Sequence, residues 1–178
     1  VRKNIRFVSE DRAAEGVFLH LPVQSNLVAA ELPSIAPLGL LSRRRVRGLA
    51  LGLAKMVQLD PGRLPSLAGE LSGGNQQKVA VAKSLGRVEP GVLLMNEPTR
   101  GVDVGARAEI YALMRRLCDM GYAIVMASTD IEEVVGMSDR IVTMYRSEKI
   151  REYDRAAISR AQILSDIIHP QHGASDAA

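Results

Sequence analysis

Two short stretches of this chain bring together residue types that bind or process anions. The first is Leu71-Ser72-Gly73-Gly74-Asn75-Gln76-Gln77-Lys78, ahead of an Ala/Val-rich run with helical spacing. Ser72 is a favoured N-cap, because its hydroxyl accepts a backbone N–H of the first turn. Gly73 and Gly74 have no Cβ, so a ligand can come close to backbone amides at the positive end of the helix dipole. A phosphate suits that arrangement, and the same residues equally describe a capped helix with a flexible start. The second stretch is Asn96-Glu97-Pro98-Thr99, which follows the apolar run Val92-Leu93-Leu94-Met95. Such a run fits a parallel strand buried on both faces. An amide and a carboxylate at its carboxyl end lie where open α/β sheets bind ligands. The alternative is a plain loop cap, with Asn96 and Glu97 bonding nearby backbone.

The elements that must position these residues follow from pattern. Ile5 to Ser9 predicts a strand, which runs into the polar cluster Glu10-Asp11-Arg12 and on to Gly16; on its own that cluster is a solvated turn. Pro22 to Leu27 predicts a loop entering a short helix, and Leu32 to Leu41 is interrupted by Pro33, Pro37 and Gly39. Ser42 is placed to cap a helix with Val46, Leu49, Ala50, Leu53 and Val57 on one face, ended by Asp60-Pro61-Gly62. Arg43, Arg44, Arg45 and Arg47 crowd its start and form a solvated basic face or meet an acidic partner. Val79, Ala82 and Leu85 line one side of the helix after Ser72, and a Glu89-Pro90-Gly91 turn precedes the Val92 strand. Asp103 starts another helix, with Ala106, Ile110, Leu113, Met114 and Leu117 inward and Gly121 as its stop. Met114 is therefore assigned to the core. Ala123 to Ala127 is a further buried strand, and Ile131 to Met137 a short helix. Ile141 to Tyr145 and Lys149 to Tyr153 suggest a hairpin about Arg146-Ser147, weakened by the lack of a glycine there. Ser159 to Gln162 matches a capping box before Ile163, with Pro170 as the stop and a disordered tail from Gly173 to Ala178.

Composition narrows the function classes. The 178 residues are 47% hydrophobic, enough for one domain-sized core, without a run of about 18 apolar residues that spans a bilayer. No signal-peptide pattern is present, and a soluble, cytosolic chain is expected. A single cysteine permits no internal disulfide, and its place in a helix pattern makes Cys118 a small core residue. A net charge of +3 and 3% aromatic residues argue against nucleic acid. His20, His169 and His172 lack metal-ligand spacing, so no metal site built from protein ligands alone is expected.

Leu71 to Lys78 and Leu93 to Asp103 together resemble the signature motif, Walker B segment and D-loop of the ATP-binding cassette (ABC) ATPases. The wording LSGGNQQK followed by NEPTRGVDVGA is most similar to the second nucleotide-binding half of the tandem ATPase subunits of bacterial monosaccharide importers. The resemblance covers the chain from about Ile5 to about Tyr153. It implies an α/β fold: part of a RecA-like P-loop NTPase sheet, with an α-helical subdomain inserted before the signature. The implied parts are a Q-loop strand and loop (1–16), the helical subdomain facing a membrane subunit (17–70), the signature helix and core (71–153), and a C-terminal helix and tail (154–178).

It also implies roles. Ser72, Gly73, Gly74 and Gln76 would close over ATP held by a partner half. Asn96 stands where the family has the aspartate that orders Mg²⁺, and Glu97 is the base that polarises the attacking water. Asp103 belongs to the D-loop, Glu10 takes the place of the Q-loop glutamine, and Thr129 that of the switch histidine. Asn96 and Glu10 would hold Mg²⁺ weakly, since an amide adds no charge for a hard cation. The phosphate-cradling Gly-x-x-x-x-Gly-Lys-Ser/Thr loop does not occur, and none of the fifteen glycines is followed by lysine. The chain is accordingly expected to begin partway through its domain and to be poorly stable alone. ATP and Mg²⁺ are the implied cofactors, bound at a shared site and weakly or not at all by this chain alone.

The implied partners are a second ATPase half, membrane permease subunits and, indirectly, a periplasmic sugar-binding protein, with no nucleic acid. The implied location is cytoplasmic, peripheral at the inner face of the bacterial plasma membrane. As part of the full protein the chain would couple ATP hydrolysis to monosaccharide import, with its own site degenerate and the isolated chain inactive. A non-catalytic scaffold and a soluble ABC protein acting on ribosomes or DNA are the competing readings.

Overall fold

A computed structural model describes residues 4–36, 40–86 and 90–168. The fold forms two compact units that divide between Ala127 and Ser128. The expectations for Pro37, Gly39, Glu89, His169, Pro170, His172 and the tail after Gly173 lie outside the described residues.

In the first unit β1 (Ile5–Val8), β2 (Val92–Asn96) and β3 (Ala123–Ala127) form a parallel sheet in that order. Register alone divides its side chains. Arg6, Leu93 and Ile124 share a face with Val8, Met95 and Met126, while Ile5, Val92 and Ala123 share the other with Phe7, Leu94 and Val125. On the first face Val8, Leu93 and Met95 are buried. On the second, Ile5 (52%), Phe7 (57%) and Val125 (58%) are exposed. The expectation of strands buried on both faces is thus corrected. The apolar run is continuous because both faces are apolar, yet among the described residues only one is covered.

Helix α4 (Gly73–Leu85) packs on β1 and is surrounded by α1 (Val23–Val28), α3 (Arg43–Met56) and α5 (Val104–Asp119). Its burial extends well beyond the expected stripe of Val79, Ala82 and Leu85, to Gly74, Gln77, Lys78, Ala80 and Val81. Small side chains allow neighbours to approach on nearly every side. A Cβ on Gly74 would lie 2.7 Å from the Cβ of Ala106 in α5, closer than two carbons pack.

The helical segment before α4 departs from expectation in two places. Ser42 stands at the N-cap of α3, but its side chain makes no capping bond. The helix also stops earlier, at Met56, with Gln58 in the left-handed region at φ 53°. Asp60 instead opens a separate 3₁₀ turn, accepting the Gly62 amide at 2.9 Å. Pro33 sits in the first turn of the short α2 (Leu32–Ile35), where its missing N–H costs nothing. Buried Asn26 fastens the preceding loop: its Oδ1 accepts the Phe18 amide at 2.7 Å, and its Nδ2 donates to the Phe18, Leu21 and Pro22 carbonyls.

Along α5, Ile110, Leu113, Met114 and Leu117 are buried as the period requires, and Gly121 at φ 94° follows the end of the helix. Cys118 is exposed, which corrects its assignment to the core. It falls one position off the inward face of α5.

The second unit holds α6 (Ile131–Met137), the antiparallel pair β4 (Arg140–Tyr145) and β5 (Glu148–Asp154), and α7 (Arg160–Ile168). Asp130 caps α6 through the amides of Glu132 and Glu133. The hairpin forms without glycine. Arg146 (φ 47°) and Ser147 (φ 68°) both take the positive φ that a two-residue type I′ turn demands. Ile141, Tyr153 and Ile163 make the core of this unit. Beside them Asp166, 4% exposed, accepts Tyr153 Oη at 2.6 Å and Thr143 Oγ1 at 2.9 Å, with the Arg151 guanidinium 3.6 Å away. One buried carboxylate therefore ties α7 to both strands of the hairpin.

Gly74→Ala is expected to destabilise the chain by about 1–3 kcal/mol through overpacking, although alanine favours a helix interior by about 1 kcal/mol. Adding Ala106→Gly should restore much of the loss. A urea midpoint that stays put or rises in the single variant would show that the close approach is unimportant. Burial and the Asp166 hydrogen bond raise the Tyr153 phenol above its usual pKa. A raised folded-state pKa gives stability that is complete below about pH 10 and is lost as pH rises through the folded value. Denaturation across about pH 9–11 should show a steeper alkaline loss in the wild type than in Tyr153→Phe; parallel curves would contradict it.

Candidate functional site

The start of α4 has the geometry its sequence predicts. Ser72 is extended (φ −60°, ψ 156°), exposed, and its Oγ accepts the Asn75 amide at 3.4 Å. Gln76 turns its Nε2 back to the Leu71 carbonyl at 3.1 Å. The two glycines, read from sequence as room for a ligand, also serve the chain's own packing. A Cβ on Gly73 would lie 2.9 Å from the Gly101 carbonyl, while Gly74 is buried against Ala106 and Val102. Gly73 alone of the pair is partly accessible.

The segment that presses on Gly73 is the turn after β2. Glu97 extends the sheet ladder by donating its amide to the Ala127 carbonyl at 2.8 Å, then reverses at φ 48°. A glutamate in this region costs roughly 1–2 kcal/mol of backbone strain. Its carbonyl accepts the Arg100 amide at 3.1 Å, the Val102 amide reaches the Thr99 carbonyl at 3.1 Å, and Gly101 sits at φ 67°. Asp103, which the sequence leaves as D-loop residue or N-cap, does cap α5: its Oδ1 accepts the Ala106 amide at 2.9 Å.

Glu10 and Asn96 meet here. Asn96 Nδ2 donates to Glu10 Oε2 at 3.4 Å, and the same oxygen faces Arg100 Nη1 at 3.2 Å. The cluster at residues 10–12 is therefore tied down rather than a free solvated turn. Asp11 caps the single π-helical turn Arg12–Gly16 through the Ala14 amide. Arg12 leaves this turn and reaches three acceptors: the Arg100 carbonyl (2.9 Å), the Gly101 carbonyl (3.3 Å) and Gln77 Oε1 (3.4 Å). Burial pulls its guanidinium below the ordinary arginine range. Thr129 belongs to the second unit, just before the Asp130 cap of α6.

Sequence reasoning overlooked Arg12, Gln77 and Lys78. Gln77 and Lys78 follow the glycines in a polar run, and hydropathy assigns such a run to the surface. Both are buried. Lys78 Nζ pairs with Glu109 of α5 at 2.7 Å and donates to the Gln58 carbonyl at 3.4 Å, joining α5 and the turn after α3 to α4. The signal available was the unbroken apolar run Val79-Ala80-Val81-Ala82, which goes round the whole helix beside the stripe and marks a helix buried on every side.

No protein-family profile matches the chain. Among curated proteins, it is 43% identical over 143 residues to the ribose import ATP-binding protein RbsA 2 of Rhizobium meliloti (strain 1021), a match that covers 80% of this chain and 28% of that protein. It is 38% identical over 165 residues to the ribose import ATP-binding protein RbsA of Bacillus subtilis (strain 168), covering 93% of this chain and 33% of that one. The chain thus spans about a third of the length of the curated relatives it matches. Among solved structures, a dimeric bacterial ABC transporter cassette superposes with a TM-score of 0.69 at 27% identity, over 86% of this chain and 64% of the other. A post-hydrolysis dimer of that cassette bound to ADP and Pi gives 0.66 at 28% identity. Motif wording, sheet and relatives agree over most of the described fold, and the chain belongs to the ABC transporter ATP-binding family, matching its ribose-import members.

Proposed function

We propose that this chain is part of an ATP-binding subunit that couples ATP hydrolysis to uptake of a monosaccharide, with ribose the cargo its relatives' names suggest. Within that subunit it presents Ser72, Gly73, Gly74 and Gln76 to ATP held by a second ATPase half. The supporting observation is the capped start of α4. Ser72 is exposed and Gly73 partly so, while the body of the helix is locked in the core. A fixed helix start with its amides outward stabilises a developing phosphate charge without reorganising.

The chain's own site, in this reading, turns over little. Glu97 keeps the carboxylate of a general base. Glu10 and Asn96 supply oxygen donors that fit Mg²⁺, but the only carboxylate of the pair already faces Arg100. Bound Mg²⁺ would screen phosphate charge there. No group of three or more histidine, cysteine, aspartate or glutamate side chains able to hold a metal occurs among the described residues. Residues 17–70 are the subdomain that meets membrane permease subunits, and Asp103 lies in the segment crossing to the other half. Among the described residues no helix is long and apolar enough to cross a membrane, and the proposed place is the cytoplasmic face of the membrane.

Both halves of this reading are testable in the complete ATP-binding protein assembled with its membrane subunits. Gly73→Asp should reduce ATPase activity at least about tenfold, about 1.4 kcal/mol or more in the barrier. Gly73→Ala meets the same Gly101 carbonyl without adding charge, and should lose activity by clearly less than Gly73→Asp. Equal loss in both would place the effect in packing, and indifference to both would favour a scaffold. Asn96→Asp should leave turnover within about twofold; a large gain would mean that this chain's own site contributes.

A further inference from the structure

We infer that Arg12 is the positioning residue of the turn from Glu97 to Asp103, fixing it against Glu10 on one side and the signature helix on the other. Three independent observations converge on it. Its guanidinium binds the carbonyls of two successive residues, Arg100 and Gly101, at 2.9 and 3.3 Å, and also touches Gln77 Oε1 inside α4 at 3.4 Å. Two residues earlier, Glu10 holds the side chain of the same Arg100 at 3.2 Å. Residues 10 and 12 thus grip one turn by side chain and by backbone. The turn itself contains two left-handed residues, Glu97 and Gly101, and such a backbone persists only where its surroundings over-determine it.

The planar fork of arginine suits this work. Adjacent carbonyls in a turn diverge, and a guanidinium offers several N–H groups in a fixed plane, whereas an ammonium is a point donor. From below, Gly73 leaves only 2.9 Å for a Cβ beneath the Gly101 carbonyl, so any shift of the turn is felt at the start of α4. Arg12 therefore couples the segment after β1, the turn bearing Glu97 and Asp103, and the helix start bearing Ser72.

The grip can be read in the 178-residue chain itself, by amide hydrogen exchange. In Arg12→Ala and Arg12→Lys the amides of Arg100 and Val102, which close the turn, should exchange about tenfold faster or more, with those of Leu113 and Leu117 unchanged. Wild-type rates in Arg12→Lys would overturn the inference, because charge alone would then suffice. Acceleration everywhere would also overturn it, as a general loss of stability. Should Arg12→Ala fail to fold, the lysine variant decides.

The use of this grip in catalysis rests on the function proposed above, and the complete transporter separates the two. There Arg12→Lys should lower kcat about fivefold or more with the KM for ATP unchanged, since a misplaced turn harms the reaction and not ground-state binding. If Gly73→Asp abolishes activity while Arg12→Lys alters neither parameter, Arg12 is not a positioning residue. If Gly73→Asp is also silent, the proposed function fails and the exchange result still decides whether Arg12 holds the turn.

Discussion

The rest of the first unit depends on how closely its other elements can approach α4. Val79, Ala80, Val81, Ala82 and Leu85 are buried around its axis and exchange large side chains for short interhelical distances. Burying each valine or leucine stabilises by about 1.5–3 kcal/mol. The greater consequence is geometric, because a close-packed interior does not deform continuously. With the helix body fixed, its first turn is fixed too, and Ser72 and Gly73 are held at the surface without a loop of their own.

A second constraint acts on the turn after β2. Glu97 leaves the sheet with a hydrogen bond still in register and reverses in a conformation glutamate disfavours. The ion pair of Arg100 with Glu10, the contacts of Arg12 and the Asp103 cap all act within a few residues of that reversal. Side chains distant in sequence thus meet on a short piece of backbone. Glu10 and Asn96 are the clearest case: 86 positions apart, they touch because β1 and β2 pair in parallel and both end at the same edge.

Much of this was legible in the sequence, wherever local chemistry is decisive. Ser72 and Asp103 cap helices as short polar side chains do, and the apolar runs at Val92 and Ala123 are strands. The motif wording located the family from two segments. What could not be read depends on neighbours. Gln77 and Lys78 are polar and buried because partners arrive from far along the chain: α5 and the turn after α3 for Lys78, and Arg12 after β1 for Gln77. Ser42 occupies a cap position without capping, since backbone geometry defines the position and the hydroxyl is free to turn elsewhere. Cys118 was misassigned by one helical position, about 100° on a helix, enough to carry it from the inward face to solvent. The Arg146-Ser147 turn shows the same limit, as a paired hairpin can impose a backbone that neither residue prefers.

The left-handed backbone at Glu97 has a bearing on attempts to redesign this protein. Any procedure that ranks substitutions by folding free energy will favour glycine or asparagine there, because both relieve the local conformation. Such a gain would come from discarding the carboxylate. Position 97 is therefore one where a gain in robustness would remove the group proposed above as a general base, and a thermally hardened variant meant to test that role is best built with the residue held constant.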